Sequence, residues 1–369
     1  MRILAVDIGS GTEDILLYDD SKNIENCVKL VLPSPSLVYS RRVGYSTKLR
    51  MDLFIKGDTI GGGEFARALK RHLEKGLGVF ITEAAAYSIR NRLDEVGSMG
   101  FQVVSDDPPP GFKGETLTIQ EVNISRLQTF LGDFEEDLSD LTAVAVAVQD
   151  HGIPEGELSN RRFRMKTMTE RLMDSSRLES LLYSDREIPG RFVRMRSAAD
   201  AVRSQLPGIS TFVMDTSTAA ILGCLEDLRV KAARTALLVN VGNEHVTAAI
   251  TSGRKVLGVL EHHTSILKAA RLESLLKAFM KGRVDDDAVY EDGGHGAFYM
   301  HKRSKIPKIN VVAVTGPHRS RLRGRIDAYF AAPGGDMMMT GPIGLVRAAK
   351  AALRNQPEET KTSGNVFNK

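Results

Sequence analysis

Residues Arg2–Tyr18 read RILAVDIGSGTEDILLY and contain the strongest structural signal in the chain. The apolar run at its start predicts a buried strand, Gly9 to Thr12 predict a tight turn, and Asp14 to Tyr18 predict a second strand. A glycine-rich turn after a first strand is typical of Rossmann and P-loop sites, but those continue into a helix. This segment therefore predicts a β-hairpin. Its turn amides can form an anion-binding nest, and the alternative is an ordinary glycine hairpin tip.

A second hairpin of the same kind is predicted in the other half of the chain. Thr235 to Asn240 and Val246 to Thr251 have strand patterns, and Gly242 lies in the turn between them. Two such turns that face each other can hold a triphosphate from both sides. We therefore expect the turns around Gly9 and Gly242 to meet across one cleft.

Other apolar segments suggest the rest of an α/β fold. Leu141 to Val148 is apolar on both faces, as in a covered central strand, and Gln149 and Asp150 follow it. Thr82 to Leu93 predicts a helix. Thr211 to Met214 predicts a short strand that opens the second half of the chain.

These segments resemble the motifs of the actin, Hsp70 and sugar kinase ATPase superfamily. Asp7–Thr12 resembles its first phosphate loop, Leu238–Thr247 its second, and Val311–Pro317 its adenosine loop. Asp215–Leu225 is similar to its first connecting helix, and Pro333–Asp336 with the helix that follows is similar to the second. The resemblance implies an α/β protein with the two-lobed, actin-like (ribonuclease H-like) ATPase fold and mixed five-stranded sheets.

The resemblance also implies a domain organisation. Residues 1–150 form lobe one with the first phosphate loop, and residues 151–207 form a helical connection. Residues 208–354 form lobe two, whose final helix, 341–354, returns to lobe one. Residues 355–369 are polar and predict a flexible tail.

The implied ligands are ATP and Mg²⁺ in the cleft between the lobes. Asp7 holds Mg²⁺, while Gln149 and Asp150 carry the catalytic role at the terminal phosphate. Asn240 replaces the aspartate that the superfamily has in its second loop, which removes one negative charge near the metal and predicts slow hydrolysis. The nucleotide-binding residues implied by the loops are Gly9, Ser10, Gly11, Thr12, Gly242, Asn243, Gly316, Gly334 and Gly335.

Histidines provide a second group of candidate site residues. His151 follows the central strand, His262 and His263 end another strand, and His295 lies between glycines. Imidazole with carboxylate suits Zn²⁺ or Fe²⁺, although no helical His-x-x-x-His spacing is present. We expect His151 to lie near His262 or His263. Substrate hydrogen bonding and structural loop roles are the alternatives.

Composition excludes several classes of protein. The chain has 369 residues, 42% of them hydrophobic, with 50 basic and 46 acidic side chains interspersed. This balance does not favour a nucleic-acid partner, and the absence of a long apolar run does not favour a membrane partner. Two cysteines are typical of a reducing compartment, so we expect a cytoplasmic protein. Its partners are then a nucleotide and an unidentified small molecule or protein.

Within the superfamily, the sequence is most similar to a prokaryotic family labelled as a pyruvate formate-lyase activating enzyme. Such radical chemistry requires an iron–sulfur cluster bound by more cysteines than Cys27 and Cys224 supply. A cluster shared between two subunits remains as the alternative.

Three functions are consistent with these observations. The first is an ATP-dependent small-molecule kinase or ATPase that acts through closure of the cleft. The second is a nucleotide-regulated binding module without fast turnover. The third is a metal-dependent enzyme that uses His151, His262, His263 and His295.

Overall fold

The computed structural model describes residues 1–154, 156, 158–300 and 306–355. Its strands, in chain order, are β1 (Arg2–Ile8), β2 (Thr12–Asp19), β3 (Val28–Pro33), β4 (Leu53–Gly57), β5 (Val79–Thr82), β6 (Gln102–Val104), β7 (Glu115–Ile119), β8 (Ala143–Val148), β9 (Tyr183–Ser184), β10 (Ser210–Met214), β11 (Thr235–Val241), β12 (His245–Ser252), β13 (Lys255–His263), β14 (Gly296–Tyr299), β15 (Val311–Thr315) and β16 (Ala328–Phe330).

Helices connect and cover these strands. In chain order they are α1 (Pro35–Lys48), α2 (Gly63–Glu74), α3 (Glu83–Ala86), α4 (Leu93–Ser98), α5 (Ile124–Gly132), α6 (Asn160–Ser175), α7 (Val193–Gln205), α8 (Thr216–Cys224), α9 (Leu228–Lys231), α10 (Ala269–Met280), α11 (Asp286–Glu291) and α12 (Thr340–Asn355). Short 3-10 turns lie at Ile24–Asn26, Leu178–Leu181, Arg319–Leu322, Pro333–Gly335 and Met337–Met339.

The first sheet has the strand order β3-β2-β1-β8-β10-β9. Strands β1 and β2 form the predicted antiparallel hairpin, while β8 lies parallel between β1 and β10. Every residue of β8 is buried, as expected for a central strand with both faces covered. The carboxyl ends of β1, β8 and β10 therefore lie at one edge of the sheet.

The second sheet repeats this arrangement, with the order β14-β13-β12-β11-β15-β16. Strands β11, β12 and β13 form an antiparallel meander, and β15 and β16 continue parallel to β11. Each sheet thus has six strands instead of the expected five, and the additional strand, β9 or β14, lies at an edge. Two sheets of this order confirm the ribonuclease H-like repeat of the actin-like ATPase fold.

Two sequence-based predictions about single elements are wrong. The strand at Ser210–Met214 pairs with β8 in the first sheet, so it does not open the second half as expected. Its apolar pattern indicates a buried strand but contains no information about which sheet buries it. The helix expected at 82–93 is the single turn α3, because Val79–Thr82 pairs as a strand and a turn region follows the helix.

A small parallel sheet is inserted into the first half and was not predicted. Its order is β6-β5-β4-β7, and α1 and α2 pack beside it. The loop after β4 leads through three glycines, Gly61 to Gly63, into α2 and lines the central cleft. This insertion therefore forms one wall of the candidate site.

The two connecting helices α8 and α12 cross at very close range. A β-carbon built on Gly223 would lie 1.8 Å from the carbonyl oxygen of Thr340, and one built on Gly344 would lie 2.0 Å from that of Ala219. Only glycine permits this backbone approach. The contact joins α8, which follows β10, to α12 near the end of the described residues.

No helix among the described residues is both long and apolar enough to span a bilayer. The tail expected at 355–369 lies, except for its first residue, outside the described part of the chain.

Candidate functional site

The two glycine turns have the same local hydrogen bond. The amide of Gly9 donates to the carbonyl of Thr12, and the amide of Gly242 donates to that of His245, both at 2.9 Å. A β-carbon on Gly11 would lie 2.8 Å from Nδ2 of Asn243. The turns therefore meet across one cleft, which confirms that prediction.

A cavity of about 470 Å³ lies beneath these turns. Six of the predicted nucleotide-binding residues line it: Gly9, Ser10, Thr12, Gly242, Asn243 and Gly316. Gly11 lies beside Asn243. The pair Gly334 and Gly335 lies elsewhere, in a separate depression beside Lys29, whose ammonium donates to the Gly334 carbonyl at 3.0 Å. The structure therefore does not place these two glycines with the other candidates.

A pair of buried carboxylates forms the floor of the cavity. Asp7 on β1 and Asp14 on β2 are register partners in the antiparallel hairpin, so their side chains lie on the same face about 4.5–5.5 Å apart at Cβ. Each is only 7% exposed, and Oδ1 of each has no hydrogen-bond partner. Burial raises the pKa of Asp7 to about 7 and that of Asp14 to about 8, and the proximity of Asp7 adds to the shift at Asp14.

Asp14 was not among the sequence-predicted residues. The sequence nevertheless contains the information that indicates Asp14. Once the turn is placed at Gly9–Thr12, the register of the hairpin pairs Asp14 with Asp7.

Helix α12 closes the cavity against Asp7. A β-carbon on Gly341 would lie 1.8 Å from Oδ2 of Asp7. Near the same point, the hydroxyls of Thr315 and Thr340 are hydrogen bonded at 3.0 Å. The glycine that approaches the site is therefore Gly341, a residue that sequence reasoning placed in the helix but not in the site.

Asn240 lies between the second turn and the adenosine-loop segment. A β-carbon on Gly316 would lie 2.5 Å from its Oδ1, and one on Gly242 would lie 3.6 Å from its Nδ2. The side chain also lines the cavity. An amide at this position offers an oxygen ligand without a charge.

The two residues after β8 have different environments. Gln149 lines the cavity, and its Nε2 lies 2.8 Å from Nδ1 of His245. Asp150 is buried and accepts hydrogen bonds from the backbone amides of Gly152, Arg194 and Met195 at 2.8–3.1 Å. Burial raises the pKa of Asp150, although these amides oppose the shift. Asp150 therefore caps the first turn of α7, and both residues line the cavity.

The rings of four histidines meet beside the cavity: His151, His245, His263 and His295. His151 comes from the first half of the chain and the other three from the second half. Nε2 of His151 lies 3.0 Å from Nε2 of His295. The ring of His245 lies 4.8 Å from that of His295 and 4.7 Å from that of His263, between centroids. Burial lowers the pKa of His151 to about 4 and that of His245 to about 3, so these rings are neutral.

The structure does not bring His262 into this group. His262 points away and contacts Oδ2 of Asp292 at 3.0 Å through Nε2. Consecutive residues of a strand point to opposite faces, so only His263 of that pair can face the cleft. His245, which sequence reasoning did not select, is the register partner of His263 on β12. His151 does lie in one group with His263, as expected.

A buried ion network lies behind the histidines. The guanidinium of Arg164 on α6 donates to Asp215, before α8, and to Glu261 on β13, with contacts at 2.8–3.0 Å. Burial by itself would raise the pKa of both carboxyls, but Arg164 holds both below their usual range. This network ties the first sheet to the second and was not predicted, because its members are more than 40 residues apart.

Comparison with solved structures gives distant matches over nearly the full length. A Listeria monocytogenes protein, Lmo2764, described as a putative N-acetylmannosamine kinase, is 10% identical with a TM-score of 0.37, covering 96% of this chain and 100% of that one. The PilM–PilN type IV pilus biogenesis complex is 13% identical with a TM-score of 0.38, at coverages of 94% and 98%. A Bacteroides thetaiotaomicron protein with an actin-like ATPase fold is 8% identical with a TM-score of 0.37, at 93% and 95%.

No curated protein matches the sequence. The fold assignment therefore stands on the strand orders described above.

A family model described as "Putative pyruvate format-lyase activating enzyme (DUF1786)" matches residues 60–321. The cysteines do not fit the iron–sulfur cluster that this description implies. Cys27 and Cys224 are both buried, and burial raises the pKa of the Cys224 thiol far above its usual value. Since the match spans more than half of the sequence, the chain belongs to this family.

Proposed function

We propose that the protein is an ATP-dependent phosphotransferase, a small-molecule kinase or an ATPase, that works by closure of the cleft between two lobes. One observation supports this most directly. Two glycine turns with matching geometry meet at a cavity lined by a pair of buried carboxylates whose Oδ1 atoms have no partner. A triphosphate with a divalent cation supplies the missing partners for both features.

The residues present fit Mg²⁺ and nucleotide. Asp7 and Asp14 would hold the ion, directly or through water, because hard cations prefer carboxylate oxygens. The amides of the turns at Ser10 and Asn243 would bind phosphate oxygens, and Gly316 would line the part of the cavity that receives the adenosine. When bound, the ion neutralises charge on the transferring phosphoryl group.

Gln149 is the better candidate for the catalytic position. Its amide faces the cavity, so it can orient a water or an acceptor hydroxyl toward the terminal phosphate. Asp150 has its carboxylate oxygens occupied by three backbone amides, so we assign it to the positioning of Gln149 and α7.

The division into lobes follows from the same proposal. Lobe one is built on the first sheet with α12, and lobe two on the second sheet, with the α8–α12 crossing as the hinge. We further propose a cytoplasmic location and a small-molecule acceptor bound in the same cavity.

A nucleotide-regulated binding module is the second candidate, and Asn240 favours it. An uncharged amide where the superfamily has a second carboxylate provides less charge for the metal. Tight ATP binding without phosphate release would identify this function.

The test is a titration of ATP with and without Mg²⁺ on the wild type and on Asp7→Ala. Loss of a charge-assisted contact of about 1.5–3 kcal/mol corresponds to roughly 10- to 150-fold weaker Mg²⁺-dependent binding. Asp19→Ala is the matched control, because Asp19 lies at the other end of the same hairpin and its carboxylate accepts hydrogen bonds from the amide and hydroxyl of Ser21 in the adjoining turn. The control should bind ATP like the wild type.

If the wild type has no affinity for ATP at millimolar concentration, or if Asp7→Ala binds as tightly as Asp19→Ala, the glycine turns are structural and the proposal is wrong. Phosphate release measured on the same samples separates an enzyme from a binding module.

A further inference from the structure

We propose that His151, His245 and His295 form a binding site for a divalent transition-metal ion of the Zn²⁺ or Fe²⁺ class, held between the two lobes. This site is separate from that for magnesium and ATP, which requires none of these rings. His151 comes from the end of β8, whereas His245 and His295 come from the second sheet.

Distances among the ring nitrogens suit a single ion. One ligand nitrogen of each ring lies within 4.8 Å of the other two. Two nitrogens bound to one tetrahedral zinc at its usual bond length are separated by about 3.3 Å. The contact of 3.0 Å between His151 and His295 is already near this value. Small side-chain rotations would therefore bring three nitrogens into a common coordination sphere.

A buried nitrogen without a partner points to a ligand. Nε2 of His245 is inaccessible to solvent and has no hydrogen bond, and the residue is 9% exposed. Leaving such a group unsatisfied costs about 1–3 kcal/mol. A metal ion removes this cost because it accepts the lone pairs of neutral imidazoles, which is the state that burial favours for these rings.

The ion network behind the rings has one positive group, Arg164, and two negative groups, Asp215 and Glu261, so its net charge is negative. Arg161 donates to the carbonyl of Gly294 and adds a positive charge near His295. Gln149 lies 2.8 Å from Nδ1 of His245. A half-turn of its amide presents the oxygen to that atom, which would fix Nδ1 as the protonated nitrogen and leave Nε2 for the ion.

Three protein ligands leave the ion with an open position. Both His151 and His245 line the cavity, so this position faces the same cleft as the candidate phosphate site. Three-ligand zinc sites of this kind carry a water or a substrate atom at the fourth position. The geometry therefore assigns to this ion the binding of an oxygen-containing acceptor group.

The experiment uses the full chain after treatment with a chelator, with Zn²⁺ as the probe and a competing chromophoric chelator as the indicator. The wild type should bind one Zn²⁺ per chain. Bound Co²⁺ should give a visible absorption spectrum that is typical of an ion with a low coordination number. His295→Gln and His151→Gln should bind Zn²⁺ at least roughly 100-fold more weakly, and Gln149→Leu roughly 10- to 100-fold more weakly.

His262→Gln is the matched control, because His262 lies beside this group on β13 but contacts Asp292 instead. It should bind Zn²⁺ like the wild type, and so should Asp7→Ala, which separates this site from the proposed ATP site. Circular dichroism reports whether each variant is folded, and His151→Gln, from the other half of the chain, provides the test if His295→Gln does not fold. A wild type that binds Zn²⁺ and Co²⁺ no more tightly than His151→Gln would overturn the proposal.

Discussion

Replacement of Arg164 by methionine should destabilise the protein more than any surface substitution. The guanidinium is 4% exposed and contacts Asp215, Glu261 and the hydroxyl of Ser217. Methionine matches the apolar part of the side chain but leaves both carboxylates buried without a counter-charge. The perturbation therefore removes charge compensation while keeping most of the volume.

The expected loss is about 3–5 kcal/mol in the free energy of unfolding, the typical cost when one partner of a buried ion pair is removed. Arg162→Met, on the same helix, is the matched control. Arg162 pairs with Asp286 and Asp287, whose side chains are 47% and 76% exposed. Exposed pairs of this kind contribute about 0–1 kcal/mol, so the control should lose little.

The loss should also depend on pH in a defined direction. In the wild type, Arg164 lowers the pKa of Asp215 and of Glu261, so their contribution is present above their unfolded pKa and is lost as pH falls through the folded values. In Arg164→Met the guanidinium no longer lowers the two pKa values, so burial should raise both above their unfolded values. The folded variant then takes up protons at a pH where the unfolded chain does not, and the deficit should shrink as pH falls from neutral toward the unfolded pKa values.

Urea unfolding at several pH values, followed by circular dichroism and fluorescence, measures both effects. A deficit below about 1 kcal/mol at neutral pH, or one equal to that of Arg162→Met, would refute the assigned role of the network. A deficit that grows at low pH would refute the charge assignment.

Three further predictions concern the α8–α12 crossing and the residues around the proposed Mg²⁺ site. Gly341→Ala should weaken Mg²⁺-dependent ATP binding by roughly tenfold or more, because the new methyl would displace the Asp7 carboxylate. The control is Gly44→Ala in α1, whose methyl would meet nothing within 4 Å. It should leave ATP binding unchanged and raise the free energy of unfolding by about 0.5–1 kcal/mol. Equal ATP affinity in the two variants would contradict the placement of Asp7. Gly223→Ala should cost about 1–3 kcal/mol in urea unfolding, because its β-carbon overlaps the backbone of α12, and an unchanged midpoint would exclude a tight crossing. Asn240→Asp should increase the Mg²⁺ dependence of ATP binding and the rate of phosphate release, and identical titrations and rates would remove Asn240 from the site.

Local sequence signals were sufficient for the hairpins and for much of the candidate phosphate site. The apolar run in Arg2–Ile8 and the glycines at 9 and 11 are local features of the chain, so they predict a strand and a turn without tertiary information. The same holds for the second hairpin around Gly242. Two equivalent turns were then enough to predict that they meet.

The inserted parallel sheet was not predictable in this way. Its strands are short, and β4 takes β7 as a neighbour from nearly 60 residues further along the chain. Such pairing depends on burial against α1 and α2, which local propensity does not describe.

The sequence by itself determined the two hairpins, their turns and the position of Asp7 in the first strand. Apolar strand patterns and turn chemistry are local properties of the chain. The tertiary structure alone decided that His245 joins His151 and His295, that Gly341 touches Asp7, and that Arg164 is neutralised across the lobes. These contacts join residues that are 50 or more positions apart in the chain. Their energies come from burial and charge compensation, which exist only once the chain has folded.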